Sequence, residues 1–270
     1  MARIISVANQ KGGVGKTTTS INLAACLAAA ERKTLLIDLD PQGNASVGVG
    51  ATKAEYSEKN IYHVIIGKTS INDVIYKTKM PYLHLCPADN NLVGAEMELV
   101  NEMAREHKLK IALQEVTSDY DYVIIDCPPS LGQLTLNALN ASHSVIIPLQ
   151  TEYFAMEGLS QLLNTVRLVR ASLNPNLAIE GILLTMLDKR NSLHKQVVQD
   201  IQEYFSEQVF NTIVPRNVKL SECPSHGKPI ILYDIQSTGS EAYLSLAKEI
   251  ILRERGYVEK SSFEEVQLSF

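Results

Sequence analysis

The sequence lacks the features that mark several specialised classes of protein. It has only four cysteines in 270 residues and no C-x-x-C pair, so we expect reduced thiols and no disulfide framework. Its longest wholly apolar run, Leu23–Ala30, is far shorter than the roughly 20 residues that span a bilayer. The apolar stretch within Met1–Ala8 is too short for a secretory signal. These absences together predict a cytoplasmic protein.

An excess of positive charge is missing as well. The chain has 25 Lys and Arg against 30 Asp and Glu, a net charge of −5, which argues against a strongly basic nucleic-acid binder unless the positive charge is confined to one face. No repeat, low-complexity linker or shift in composition divides the chain. We therefore expect a single domain over residues 1–256 and a flexible acidic tail over residues 257–270.

Near-continuous apolar runs alternate with longer helical patterns. The predicted strands are Arg3–Ala8, Thr34–Asp38, Tyr122–Asp126, Ser144–Pro148 and Ala178–Thr185. The predicted helices are Lys16–Ala30, Leu92–Glu115, Gly158–Ser172, Ser192–Ser206 and Gly239–Arg255. Strands without polar alternation are typical of parallel sheets covered on both faces. The order predicts an α/β fold, a three-layer sandwich around a mostly parallel, doubly wound sheet.

A glycine-rich turn, KGGVGKTT over residues 11–18, joins the first strand to the first helix. Glycines let backbone N–H groups surround phosphate oxygens, and the positive end of the helix dipole faces the same place. Lys16 would reach the β- and γ-phosphates of a nucleotide, and the Thr17 hydroxyl would ligate Mg²⁺. The usual G-x-x-x-x-G-K-[ST] pattern fails only at its first position, which is Gln10. The predicted nucleotide-binding residues of the turn are Gly12, Gly13, Val14, Gly15, Lys16, Thr17 and Thr18.

A second lysine, Lys11, opens the same turn. It is either a solvated loop lysine or a residue that leaves its own loop and touches a phosphate held by a second subunit. The spacing of the loop leaves both alternatives open.

Two predicted strands end in carboxylates. Asp126 follows apolar residues in the form of a Walker B strand, and its carboxylate would hold Mg²⁺ through a bound water. Asp40 is placed to orient the water that attacks the γ-phosphate, and Asp38 to support the outer shell of the metal. Each aspartate alone could be a helix cap or a turn former. Two such strands beside a phosphate loop favour a metal–nucleotide site with the metal set Thr17, Asp40 and Asp126.

These segments resemble the ParA/Soj family of partition ATPases, within the deviant-Walker P-loop group that includes MinD. The resemblance covers nearly the whole chain and rests on several motifs together. They are ANQKGGVGKTT at 8–18, DLDPQGN at 38–44, DCPPSL at 126–131, PLQTEYFAMEG at 148–158 and VPRN at 214–217.

The resemblance implies an ATPase that binds Mg²⁺ and ATP and forms a nucleotide-sandwich homodimer. Lys11 would be the signature lysine that reaches the ATP of the other subunit, and Gly12 would lie where the two chains approach closely. The implied catalytic residues are Lys11, Lys16 and Asp40. Pro215 and Asn217 would lie near the base and sugar of the nucleotide.

The resemblance further implies that the ATP-bound dimer binds DNA without sequence preference and that a ParB-like activator stimulates hydrolysis and releases it. This would associate the protein with the nucleoid. Binding of that kind depends on counterion release by basic residues. The candidates are Arg190, Lys195, Arg216 and Lys219. Met186–Leu232 has six Lys and Arg against five acids, so a solvated surface of mixed charge stays an alternative.

Three other functions compete with partition. A MinD-like ATPase positioned on a membrane would need a basic amphipathic C-terminal helix, but residues 257–270 have one Lys and three Glu, so no membrane contact is expected. A nitrogenase-like reductase would need paired cysteine ligands, and Cys127 has no partner at such a spacing. A scaffold without hydrolysis is disfavoured by the intact Lys16, Thr17, Asp40 and Asp126. The cargo, whether chromosome, plasmid or protein cluster, stays open.

Overall fold

A seven-stranded sheet lies at the centre of the molecule. The computed structural model describes residues 1–152, 155–188 and 190–254, so Lys189 and the predicted tail 257–270 lie outside the described residues. The strands are β1 (Arg3–Val7), β2 (Thr34–Asp38), β3 (Tyr76–Lys77), β4 (Leu83–Cys86), β5 (Tyr122–Asp126), β6 (Ser144–Gln150) and β7 (Ala178–Thr185). Their order is β3-β4-β2-β5-β1-β6-β7, and every neighbouring pair is parallel except β3 with β4.

Helices cover both faces of the sheet. Those that precede β5 are α1 (Lys16–Ala29), α2 (Asn44–Gly48), α3 (Lys53–Tyr56), α4 (Ile61–Ile65), α5 (Leu92–Glu98) and α6 (Lys108–Leu113). Those that follow β5 are α7 (Gln133–Ala141), α8 (Ala155–Ser172), α9 (Ser192–Phe205), α10 (Val218–Glu222), α11 (Ile230–Tyr233) and α12 (Thr238–Glu254). The predicted three-layer α/β sandwich is confirmed.

The apolar residues of each strand are divided between two cores. In β5, Val123 and Ile125 join the core under α4 to α9, whereas Tyr122 and Ile124 join the core under α1 and α10 to α12. All four are buried, because alternate residues of a strand point to opposite faces of the sheet. This double coverage explains why the strands read as continuous apolar runs.

The carboxyl ends of β1, β2, β5, β6 and β7 lie along one edge of the sheet, because these strands are parallel. β1 lies between β5 and β6, and α1 leaves its carboxyl end through the glycine-rich turn. Ligands of open α/β sheets bind outside this edge. The loops that follow these five strands therefore form the candidate site.

The predicted helix Leu92–Glu115 is wrong as a single element. α5 ends at Glu98, short 3₁₀ turns follow, Ala104 has a left-handed φ of 53°, and α6 begins only at Lys108. Two side chains of α7 bind the backbone carbonyl groups of the segment between α5 and α6. Asn137 donates to the Arg105 carbonyl at 2.8 Å, and Asn140 donates to the Glu106 carbonyl at 2.7 Å. Hydrogen bonds between elements thus prevail over a helical pattern in the sequence.

Two strands, β3 and β4, and six helices, α2, α3, α4, α7, α10 and α11, were not predicted from the sequence. β4 has only four residues and β3 only two, so neither carries enough pattern to separate a strand from a loop. In α7, four of the nine residues are polar, and the buried Asn137 and Asn140 break its apolar face. Those two buried asparagines donate hydrogen bonds to the backbone between α5 and α6.

Candidate functional site

The glycine-rich turn curves around an open space above the amino end of α1. Gly13 and Gly15 have φ values of 76° and 89°, a left-handed conformation that residues with a Cβ adopt at a cost. A Cβ placed on Gly12 or Gly13 would meet no other atom within 4 Å. At the back of the turn, the Thr185 hydroxyl at the end of β7 donates to the Val14 carbonyl at 2.9 Å. The turn has the shape and the free backbone surface that a phosphate group requires.

Lys16 is directed into this turn. Its Nζ donates to the Lys11 carbonyl oxygen at 3.0 Å, and the residue is buried. Burial lowers the pKa of the Lys16 ammonium group, and the nearby charges of Asp126 and Asp40 act in the opposite direction. A phosphate in the turn would add negative charge beside this desolvated cation and stabilise its protonated form.

The Asp126 carboxylate is wholly buried at the end of β5. Its Oδ1 accepts from the Ser20 hydroxyl at 2.8 Å, and among the described residues its Oδ2 has no hydrogen-bond partner. Burial raises the pKa of Asp126 to about 8, and the neighbouring Asp38 adds to this rise, whereas the hydroxyls of Ser20 and Thr17 lower it. A buried carboxylate oxygen without a partner, beside a hydroxyl, is a suitable set of donors for Mg²⁺. The residues present therefore fit this ion.

Asp38 and Asp40 have different surroundings. The Asp38 carboxylate accepts from the Asp40 N–H at 3.1 Å, from the Ser46 N–H at 2.8 Å and from the Ser46 hydroxyl at 2.7 Å. Burial raises the pKa of Asp38 to about 6, and these hydrogen bonds act against the rise. Asp40 has 8% of its surface exposed, and its Oδ1 accepts from the Gln42 N–H at 2.9 Å. Asp38 thus holds the backbone of the loop that carries Asp40.

The side chain of Lys11 pairs with an acid just after β6 and not with the phosphate loop. Its Nζ pairs with Glu152 Oε2 at 2.8 Å, and Gln150 Nε2 donates to the other oxygen of the same carboxylate. The Lys11 N–H donates to Asn9 Oδ1 at 3.0 Å, and Asn9 Nδ2 donates to the Pro148 carbonyl at 2.7 Å. Glu152 was not among the site residues predicted from the sequence. Its position just after β6, at the same sheet edge as the loop, is the signal that could have found it.

Pro215 and Asn217 lie beyond the end of β7. Pro215 forms a parallel bridge with Leu187. Asn217 caps α10, since its Oδ1 accepts from the Lys219 N–H at 2.8 Å, and its Nδ2 donates to the Thr238 hydroxyl at 2.9 Å. Both residues are partly exposed. Pro215 lines an open cavity of about 970 Å³, which also borders Thr238.

The four basic residues predicted to contact DNA are exposed: Arg190, Lys195, Arg216 and Lys219. Arg190 and Arg216 line the same open cavity as Pro215. Two of the four pair with acids, Arg190 with Asp188 at 3.0 Å and Lys219 with Glu222 at 3.0 Å. These exposed ion pairs are weak, because water screens them, so each cation can exchange its carboxylate for a phosphate.

The described residues lack two further kinds of feature. Within residues 1–152, 155–188 and 190–254, no helix is both long and apolar enough to cross a bilayer. In the same described part of the chain, no group of three His, Cys, Asp or Glu side chains is arranged to hold a metal ion. The four cysteines are free and buried.

Comparison with known proteins identifies the family. A model of the AAA domain family matches residues 2–179. The chain is 57% identical to the chromosome partitioning protein ParA of Myxococcus xanthus over 254 residues, which cover 94% of the chain and 89% of that protein. It is also 57% identical to the sporulation initiation inhibitor protein Soj of Bacillus subtilis, over 93% of the chain and 98% of that protein. The chain belongs to the ParA/Soj family of chromosome-partitioning ATPases.

A solved structure extends the comparison to the geometry of the ParA/Soj chain. Cobyrinic acid a,c-diamide synthase from Mycobacterium smegmatis, with a bound ATP analogue and magnesium, superposes with a TM-score of 0.83 and 36% identity. The match covers 94% of the chain and 96% of that protein. The family and the fold predicted from the sequence motifs are therefore confirmed.

Proposed function

We propose that Mg²⁺ and ATP join two copies of this chain into a sandwich dimer with both nucleotides at the interface. The observation that carries this proposal is the direction of the two loop lysines. Lys16 is directed into its own loop, whereas Lys11 leaves the loop for Glu152 and keeps 37% of its side chain exposed. Because the Lys11 ammonium group is not bound within its own phosphate loop, it can bind a phosphate group held by a second copy of the chain. The open space above Gly12 supports a close approach of the two chains.

Each residue of the site has a separate role in the proposed hydrolysis of ATP. Bound ATP would supply the phosphoanhydride bond that breaks, and Mg²⁺ would neutralise charge on its phosphates. Lys16 and the backbone N–H groups of the turn hold the phosphates. Thr17 and Asp126 would hold the ion, and Asp40 would orient the attacking water. Pro215 and Asn217 contact the base and sugar.

The dimer binds DNA without sequence preference. Arg190, Lys195, Arg216 and Lys219 contact backbone phosphates, and a ParB-like activator stimulates hydrolysis and thereby release. Arg190 and Lys195 are five positions apart in the sequence, Arg216 and Lys219 are three apart, and Arg190 and Arg216 share one cavity. Two weak patches joined in a dimer would bind together far better than either does alone.

The test measures binding of a random-sequence DNA duplex by the hydrolysis-blocked Asp40→Ala variant, with ATP and with ADP. Binding should need ATP and fall steeply with salt. Adding Arg216→Ala to this variant should weaken binding to all duplex sequences alike and reduce the salt slope by about 1 per lost phosphate contact. The exposed Lys68→Ala is the matched control and should change neither. Equal binding with ADP and ATP, or binding without salt dependence, would contradict the proposal.

A further inference from the structure

A cavity of about 330 Å³ lies beside the loop that follows α2. Its large apolar lining residues are Val47, Val49, Met80, Leu83 and Leu232. Of these, Val47 and Leu232 are 41% and 51% exposed. A space of this size with mainly apolar walls and a few polar groups is typical of a binding site. We call it the α2 cavity.

The charged side chains that line the α2 cavity are Lys79, His226 and Lys228, with no acid among the described residues of the lining. All three are exposed, and neither lysine forms an ion pair within the described part of the chain. Glu222 lies near His226, but it pairs with Lys219 at 3.0 Å, and that hydrogen bond has the largest effect in lowering its pKa. The lining is therefore apolar and basic.

One further carboxylate, Glu55, lies near Lys79 but does not line the cavity. It accepts from the Thr52 N–H at 2.8 Å and from the Thr52 hydroxyl at 2.7 Å. These hydrogen bonds lower the pKa of Glu55 more than the charge of Lys79 does. Because Glu55 already has partners of its own, Lys79 and Lys228 can each bind a further anionic group.

The C-terminal residues 257–270 have a composition that complements this cavity. They contain three Glu and one Lys. Within them, residues 261–270 have two acids, Glu264 and Glu265, and no Lys or Arg. The same ten residues include four large apolar side chains, which are Phe263, Val266, Leu268 and Phe270. Such a segment offers apolar groups to the walls and carboxylates to the lysines.

The sheet brings the start of this segment close to the α2 cavity. α12 ends at Glu254, whose carboxylate accepts from the Tyr122 hydroxyl at the start of β5. Tyr122 is in register with Thr34 of β2, and Thr34 is in register with Leu83 of β4, which lines the cavity. Tyr122 and Leu83 also belong to the same core, so they lie on one face of the sheet. Only two strand spacings, about 10 Å of backbone, separate them.

We propose that residues 257–270 bind in the α2 cavity of their own chain, with Glu264 and Glu265 beside Lys79 and Lys228. The segment is long enough, since the 16 residues after α12 can extend over about 50 Å. The proposal does not depend on a nucleotide, on DNA or on a dimer. It rests on the apolar and basic lining, on the composition of the segment and on the short distance from the end of α12.

The loop that this segment would contact is connected to Asp40. Val47 follows Ser46 directly, and the Ser46 hydroxyl donates to Asp38 at 2.7 Å. Asp38 in turn accepts from the N–H of Asp40 at 3.1 Å. A segment bound in the α2 cavity would therefore restrain the loop that positions Asp40.

The test uses the full chain, without nucleotide, and places the photoreactive residue benzoylphenylalanine at Phe263 or, in a second protein, at Phe270. This residue keeps an aromatic ring and forms a covalent bond with a neighbouring group on illumination. Gel electrophoresis separates single chains from cross-linked pairs, and mass spectrometry of peptides locates the bond. Single chains should be cross-linked to the cavity segments 47–52, 78–83 or 226–232.

The double variant Lys79→Glu, Lys228→Glu should reduce these cross-links several-fold, because two attractive contacts become repulsive. Adding Glu264→Lys, Glu265→Lys to the same protein should restore them, since the charges are then exchanged between the two sides. A variant that had merely lost its fold would not be rescued in this way. A thermal melt of each variant measures folding directly.

The matched control is Lys59→Glu, Lys68→Glu, which reverses two exposed charges outside the lining of the cavity. It should leave the yield of cross-links unchanged. Three results would overturn the proposal: no cross-link to the cavity segments, equal cross-linking after Lys79→Glu, Lys228→Glu, or cross-links only between two chains. The last result would assign the α2 cavity to a second copy.

Discussion

Two buried aspartates at the same sheet edge use their oxygens differently. Asp38 and Asp126 are neighbours in the register of β2 and β5, and neither has any exposed surface. Burying a carboxylate is costly unless hydrogen bonds replace its hydration. Asp38 receives three such bonds from the loop that follows it, whereas Asp126 keeps one oxygen without a partner among the described residues. The first arrangement fixes a loop, and the second leaves a site for a cation.

The first prediction concerns stability against pH without nucleotide or metal. The pKa of Asp126 rises from 3.8 to about 8 in the folded chain. Below pH 3.8 the Asp126 carboxyl group is protonated in both the folded and the unfolded chain. As the pH rises, the unfolded chain loses this proton first, because its pKa is lower. The free energy of unfolding of the natural chain, relative to Asp126→Asn, should therefore fall between about pH 4 and pH 8, by at most about 1.4 kcal/mol per pH unit. Urea unfolding at several pH values measures it.

The matched control for this prediction is Asp73→Asn, at an exposed position. It should follow the natural chain at every pH. A constant difference between the natural chain and Asp126→Asn across the range would show that burial does not hold the proton on this carboxylate.

The second prediction concerns nucleotide binding. Lys16→Ala removes a lysine directed into the phosphate turn and should weaken ATP binding about ten- to hundredfold, the loss expected for a hydrogen bond to a charged group. Titration calorimetry with a non-hydrolysable ATP analogue and Mg²⁺ measures the affinity. Lys248→Ala, at an exposed position on α12, is the control and should bind as the natural chain does. Unchanged affinity in Lys16→Ala would contradict the assignment of the turn.

At the scale of elements, α2 connects the end of β2 to the end of β4. Ser46 is buried in α2, and its hydroxyl joins Asp38 to the N–H of Ala88. No motif in the sequence indicated a role for Ser46. Its contact with Ala88 depends on the pairing of β4 with β2, which the sequence pattern did not predict. Motifs that are contiguous in sequence, such as the phosphate turn, could be predicted from the chain alone. Contacts that depend on a short strand such as β4 could not.

The third prediction concerns this connection. Ser46→Ala leaves the Ala88 N–H without an acceptor and takes a donor from Asp38, so the free energy of unfolding should fall by about 1–3 kcal/mol. Ser240→Ala is a matched control, because Ser240 is equally buried and its hydroxyl has no hydrogen-bond partner among the described residues. It should change stability much less. Equal losses in the two variants, measured by urea unfolding, would mean that Ser46 acts through packing alone.

At the scale of the whole molecule, the sheet brings separate motifs to one edge. The phosphate turn, Asp40, Asp126 and Glu152 follow four different strands and meet because those strands are parallel. The net charge of −5 is compatible with the proposed binding of DNA, since the four exposed basic residues lie in one region of the sequence. An acidic single copy should bind DNA poorly, so we propose that the working unit is the nucleotide-joined pair.

The measurement that tests the central claim most directly is sedimentation velocity of the Asp40→Ala variant, which should bind ATP without consuming it. With Mg²⁺ and ATP the variant should sediment as a dimer, and with Mg²⁺ and ADP as a monomer. Adding Lys11→Ala should abolish the dimer while leaving ATP binding intact, because the Lys11 ammonium group pairs with Glu152 and not with its own phosphate loop. A variant that stays monomeric with Mg²⁺ and ATP, or a dimer that persists without Lys11, would contradict the sandwich dimer.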